Sequence, residues 1–187
     1  MKRIASNINI PFTVGGGISS VENAFELLQN GADKISINTA AFKNPNLINS
    51  MAKEFGSQCV VLAIDTKMEN DKNWYVYLNG GRSKTETLAY DWAKRAIDLG
   101  AGEILLTSMN NDGTKDGFAE DIISVFSKTF SVPVIASGGA GIMQHFADVF
   151  IKANADAALA ASVFHFGEIK IPELKRFLSL QNINVRI

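Results

Sequence analysis

Pro11–Gly17 reads PFTVGGG and Pro133–Gly139 reads PVIASGG: a proline, a short apolar run, then glycines, written twice. Each copy leads into a helix-like segment. Each then reaches an Ala-Asp step that opens a second apolar run, Ala32-Asp33 before KISINTAAF and Ala155-Asp156 before AALAASVF. In that register Asn38-Thr39 falls on Ala161-Ser162. A strand–helix–strand unit repeated at this spacing predicts a repeated βα architecture. Small residues at strand exits leave backbone amides open to anions, so two copies predict two anion sites.

Outward from these copies the chain alternates. Ile4–Ile10 reads as the tail of a helix delivering into the first strand. Ser19 or Ser20 is the expected cap of a helix that turns Val21, Ala24, Phe25, Leu27 and Leu28 inward and stops at Gly31. Lys34–Asn38 follows as a strand, and Asn44-Pro45 opens a helix ending at Gly56. Cys59–Ile64 is an unbroken apolar run, as in a strand covered on both faces, with Cys59 packed inside it and Asp65 ending it. Between Thr66 and Thr87 the rhythm breaks: Asn73–Tyr77 reads as a strand and Asn79-Gly80-Gly81 as a hairpin turn. Helix Glu86–Leu99, strand Glu103–Leu106 and the polar loop Thr107–Gly117 come next. A helix around Ile122–Phe126, strand PVIASGG, helix Met143–Ile151, strand Ala157–Ala161 and a helix near Pro172–Leu180 complete the series.

These are six apolar strands, each followed by a helix or helix-like turn, which predicts an α/β fold with a parallel sheet. An open doubly wound sheet and an eight-stranded (β/α) barrel compete. Small and polar residues at the C-terminal end of every strand favour the (β/α)8 TIM barrel, whose site draws on all its βα loops. Six units are two short of closure. The chain is therefore expected to be one partial TIM-barrel domain, residues 1–187.

Composition narrows the classes. With 18 Lys+Arg against 19 Asp+Glu the net charge is −1, which makes no electrostatic case for nucleic acid or an anionic membrane. A lone cysteine forms no internal disulfide and suits a reducing cytoplasm. No apolar run approaches the ~20 residues of a membrane span, and the opening MKRIASNINI lacks the apolar core of a signal peptide. A cytoplasmic domain is expected.

Asp65 is the sharpest chemical signal. A carboxylate ending the run VVLAI is held by the sheet at the strand exit, where it can serve as general acid or base; a helix cap or loop carboxylate fits the same position. Thr107, Ser108, Asn110, Asn111, Asp112, Gly113 and Thr114 crowd another exit, where turn chemistry and substrate contact explain such residues equally well. The two glycine pairs, in register with Asn38-Thr39 and Ala161-Ser162, predict two phosphate cradles, while turn glycines at φ > 0 are the plainer explanation of each alone. His145 and His165 have no Cys or His at metal-ligand spacing. No metal motif, Ser/His/Asp order or dinucleotide fingerprint is present, so the reading is a phosphorylated small-molecule substrate with no cofactor.

The runs IPFTVGGGI, GADKISINTAA, GSQCVVLAID, GAGEILLTSMNNDGTKDG, VPVIASGGAG and ADAALAASVFHFGEI closely resemble the cyclase subunit of imidazole glycerol phosphate synthase, over nearly all of the chain. Asp65, the NNDGTKDG loop and the AASVFHFGEI ending together set it apart from the sister (β/α)8 isomerase of histidine biosynthesis. The resemblance implies a lyase that takes ammonia from a partner glutaminase. It adds ammonia to a ribulosyl-formimino carboxamide ribotide carrying two phosphates, then closes and cleaves the adduct. Imidazole glycerol phosphate and an aminoimidazole carboxamide ribotide result.

By the same resemblance, Asp65 matches a catalytic aspartate, and Thr107 and Asp112 match positions lining the substrate. One phosphate falls near Gly17, Asn38 and Thr39, and the other near Gly113, Gly138, Gly139, Ala161 and Ser162. Asp33, Lys34, Gln58 and Glu103, at strand starts, match the face that docks the glutaminase and admits ammonia; surface charge explains all four as readily. The family carries a second catalytic aspartate on its first strand and a lysine in the next loop. Neither has a counterpart here, so the expectation is a chain lacking the first two βα units. Asp65 without that partner is expected to be several orders of magnitude slower. Two other functions stay open at this point: a phosphate-binding remnant without turnover, and the related ribotide isomerase.

Overall fold

The computed structural model describes residues 2–186. The chain forms two compact units, the first running to Asp65 and including Tyr75–Leu105, the second comprising Thr66–Trp74 and the residues from Leu106 on.

The first unit opens with α1 (Lys2–Ala5), β1 (Thr13–Gly15), α2 (Val21–Gln29), β2 (Lys34–Ile37), α3 (Thr39–Lys43), α4 (Asn46–Phe55) and a 3-10 turn at Ser57–Cys59. Then come β3 (Val60–Met68), the hairpin strands β4 (Trp74–Leu78) and β5 (Ser83–Leu88), α5 (Ala89–Asp98) and β6 (Glu103–Ser108). Strands β3 and β6 each begin in this unit and run on into the other. β1 lies parallel to β2 with Val14 opposite Ile35, and β2 parallel to β3 with Ile35 opposite Val60. Gly102 N–H donates to Val60 O at 3.0 Å, which sets the start of β6 beside the start of β3. Ile35, Ile37, Val60, Leu62 and Ile64 are buried on these strands, as are Ile48 and Met51 of α4 and Trp92 of α5. Burial on both faces is why Val60–Ile64 reads as one apolar run.

The second unit adds α6 (Glu120–Thr129), β7 (Val134–Ser137), α7 (Met143–Ile151), β8 (Ala157–Leu159), α8 (Ser162–His165) and α9 (Ile171–Leu180). β7 pairs parallel with β8, Ala136 opposite Ala158. Its core is aromatic: Phe146 packs edge-on against Phe118 at 5.6 Å and tilted against Phe164 at 5.7 Å. Among the described residues no helix is long and apolar enough to cross a membrane.

The written repeat is also a structural one. Asp33 N–H donates to Phe12 O (2.8 Å) while its carboxylate accepts from Phe12 N–H (2.7 Å). Asp156 does the same to Val134, at 3.0 Å through the main chain and 2.9 Å through the carboxylate. Each aspartate thus fastens the start of its own strand to the start of the neighbour. Asp33→Ala and Asp156→Ala are each expected to lower stability by about 1 kcal/mol, the usual net worth of such a hydrogen bond. Urea midpoints of the two variants check this, and the larger loss is expected for Asp156→Ala, whose contact is part-buried where that of Asp33 is exposed.

Four local expectations are corrected. Cys59 lies in the 3-10 turn before β3 and is only half-buried, because Gly56 turns the chain there at φ 87 and accepts from Cys59 N–H. β3 does not stop at Asp65; it continues through Thr66 to Met68, since Met68 N–H donates to Asn110 Oδ1 at 2.8 Å and Met109 N–H to Thr66 O at 2.8 Å. Glu86–Leu88 belong to β5, where Leu88 pairs with Tyr75, so the helix begins at Ala89. Phe25 is 49% exposed and lies against Phe55 with ring centroids 6.5 Å apart.

Candidate functional site

Within the first unit, the exits of β1, β2 and β3 surround a cleft of about 770 Å³. Gly17, Asn38, Thr39 and Asp65 all line it, joined by Gly15, Gly16, Ser36, Lys43 and Gly80. Local backbone chemistry explains the shape. Gly16 and Gly17 adopt φ 95 and 73, and a Cβ on either would meet nothing within 4 Å, so both face open space. Asn38 leaves the strand at φ −131, ψ −102 and starts α3. Its side-chain Nδ2 donates to Asp65 Oδ2 at 3.1 Å. A neutral amide on one carboxylate oxygen fixes the group's orientation.

The hairpin reaches the same cleft. Asn79 N–H, in the turn between β4 and β5, donates to Thr39 Oγ1 at 2.9 Å, which brings Gly80 to the rim. Thr39→Val removes this acceptor, and hydrogen exchange at the Asn79 amide is expected to quicken about ten-fold. Protection unchanged at Asn79 would mean the turn is held by its other contact, Asn79 Nδ2 to Ser83 Oγ at 3.1 Å.

The second unit holds a separate cavity of about 250 Å³ lined by Asp112, Gly113, Gly138, Gly139, Ala161 and Ser162, with Lys115 and Ser137. Ala161 starts α8 at φ −110, ψ −72, the counterpart of Asn38 before α3. Here Gly138 and Gly139 serve close packing, while a Cβ on Gly113 would meet nothing within 4 Å. A Cβ on Gly139 would lie 2.0 Å from Gly117 O, and Gly117 N–H already donates to Gly139 O at 2.8 Å. The 110–117 loop is tied internally as well, Asn111 Nδ2 donating to Gly117 O at 2.9 Å and Ser108 Oγ to Asn111 Oδ1 at 2.7 Å. His145 Nδ1 accepts from Gly141 N–H at 3.1 Å, an anchoring role.

Thr107 sits on β6 between the buried Leu106 and Ser108 and lines neither cavity. The four strand-start residues divide. Lys34 Nζ and the nearly buried Glu103 carboxylate form an ion pair at the starts of β2 and β6. Asp33 is occupied with Phe12, and Gln58 Nε2 donates to Phe55 O at 3.3 Å. Sequence reading missed Lys43, Gly80 and Lys115. Lys43 follows Asn38-Thr39 by one helical turn, a signal that was present; Gly80 enters only through hairpin placement, which no spacing reveals.

Six βα strands, with small residues at their exits, make this a protein of the (β/α)8-barrel class. The chain belongs to the histidine biosynthesis protein family, whose profile matches residues 1–170. It is 58% identical, over 187 residues and 74% of the relative's length, to the imidazole glycerol phosphate synthase subunit HisF of Phocaeicola vulgatus. The subunit of the same name from Flavobacterium psychrophilum matches at 58% over the same shares, and that from Bacteroides thetaiotaomicron at 57% over 186 residues. In each case the match takes in 100% of this chain.

Proposed function

We propose that this chain carries out the ammonia-dependent cyclase step of histidine biosynthesis, as a lyase. It converts a ribulosyl-formimino carboxamide ribotide bearing two phosphates into imidazole glycerol phosphate and an aminoimidazole carboxamide ribotide. The observation that carries this is Asp65, set in a cleft rimmed by Gly15–Gly17 and held by the Asn38 amide at 3.1 Å. A substrate with two phosphates matches a chain with two small-residue cradles. Gly17, Asn38 and Thr39 take one phosphate; Gly113, Gly138, Gly139, Ala161 and Ser162 take the other.

Asp65 is the proton shuttle. Its carboxylate receives a proton from the ammonia nitrogen as that nitrogen adds to the ribulosyl carbonyl carbon, whose oxygen leaves as water. It returns a proton to the carboxamide ribotide nitrogen as the bond between that nitrogen and the formimino carbon breaks. Asn38 holds the carboxylate in the orientation that this work needs. Thr107 and Asp112 contact the substrate. A glutaminase is the partner that supplies ammonia in the cytoplasm, and Asp33, Lys34, Gln58 and Glu103 form its docking and entry face. Lys34 supports that assignment, because it opens the same strand that delivers Asn38 to the cleft.

The test is incubation of the chain with the bisphosphate substrate and ammonium salt at high pH, with the Phocaeicola vulgatus subunit as positive control. Formation of imidazole glycerol phosphate that depends on ammonia is expected. Bound but unconverted bisphosphate would instead select a phosphate-binding protein without turnover. Isomerisation of the aminoaldose precursor would select the related isomerase.

A further inference from the structure

The second cavity contains a lysine that is already paired. Lys115 lines it from a left-handed backbone position, φ 64, and its Nζ lies 2.7 Å from both carboxylate oxygens of Glu168. The backbone beneath that lysine is fixed. A Cβ on Gly141 would come within 2.2 Å of Lys115 O, and the loop is bonded to Gly139 through Gly117 N–H at 2.8 Å. The Lys115 side chain is therefore the part that can move. Among the described residues lining the cavity, Lys115 is the one cation and Asp112 the one anion. An entering anion meets a repelling aspartate and a lysine whose charge Glu168 has taken up.

We propose that Glu168 regulates this cradle by competing with the bound phosphate for Lys115, so that the phosphate is held weakly enough to leave. This rests on the reading of the cavity as a phosphate cradle. The pair is 45% and 39% exposed at its two side chains, so water screens it and neither partner dominates. A phosphate dianion carries more charge and more acceptor oxygens than one carboxylate, and draws the lysine away from Glu168 on arrival. Lys115 is thus shared between an internal and an external anion. Glu168 acts through that sharing as a positioning residue and touches no substrate.

The experiment is a titration of the isotopically labelled chain with inorganic phosphate, followed at the Gly139 amide by nuclear magnetic resonance. It uses the unsubstituted chain, Glu168→Gln, Lys115→Met and the double variant. Glu168→Gln keeps the side chain's size and is expected to tighten phosphate binding about three-fold at low ionic strength, a gain that shrinks as salt is added. Lys115→Met is expected to weaken binding, and Glu168→Gln to have no effect once Lys115 is gone. Weaker binding in Glu168→Gln overturns the proposal, because it would make the ion pair a support for the loop. An equal gain with and without Lys115 overturns it too, because Glu168 would then act as a bystander charge. If phosphate does not perturb Gly139 in the unsubstituted chain, the cradle reading itself fails and takes this inference with it.

Discussion

Asp65→Asn is expected to lower ammonia-dependent turnover by about 10³-fold, the usual contribution of a positioned acid–base group. The substitution is chosen because it preserves geometry. Asparagine's Oδ1 accepts the same hydrogen bond from Asn38 Nδ2 that Asp65 Oδ2 accepts at 3.1 Å. Thr39, whose Oγ1 accepts from Asn79 N–H at 2.9 Å, keeps that contact in the variant. What disappears is the ability to take up and release a proton. Steady-state kinetics with varied bisphosphate check this: kcat falls while KM stays within a few-fold. A comparable fall in 1/KM with kcat intact would make Asp65 a binding residue.

Gly139→Ala is expected to destabilise the protein by about 3 kcal/mol or more, whereas Gly17→Ala is expected to cost about 1 kcal/mol. The two glycines look alike in the sequence and both hold a positive φ, 105 and 73. They differ in what surrounds them. A methyl group on Gly139 would lie 2.0 Å from Gly117 O and 3.0 Å from Asn111 Cβ. The first of these is backbone, pinned by its own hydrogen bonds, so the 110–117 loop must be displaced. A methyl on Gly17 meets nothing within 4 Å and pays only for the left-handed backbone. Urea unfolding of the two variants measures the difference directly, and near-equal losses would show that the packing at Gly139 relaxes easily.

The repeat carried most of what was legible. PFTVGGG and PVIASGG each end at a cavity, and in the Asn38-Thr39 to Ala161-Ser162 register each pair opens a short helix, α3 and α8. Local signals of this kind survive because they encode backbone conformation. The misreadings come from tertiary pairing. β3 was expected to end at Asp65, where the apolar run ends, yet pairing carries it on through polar Thr66 and Lys67. Leu88, Trp92 and Ala96 have helical spacing, yet strand pairing with Tyr75 claims Leu88. Cys59 looked interior because its neighbours are apolar, while the glycine at position 56 decides its turn. Gly80 and the Asn79 contact with Thr39 were out of reach, because nothing local says where a hairpin folds back.

The most direct measurement is a single turnover with the chain in excess over the bisphosphate, quenched at intervals after ammonia is added, for the unsubstituted chain and Asp65→Asn side by side. The account predicts imidazole glycerol phosphate with the first, and bisphosphate that is bound and recovered unchanged with the second. Equal conversion by both would show that the proton moves through some other group. Failure of both to convert what they bind would contradict the cyclase reading of the cleft.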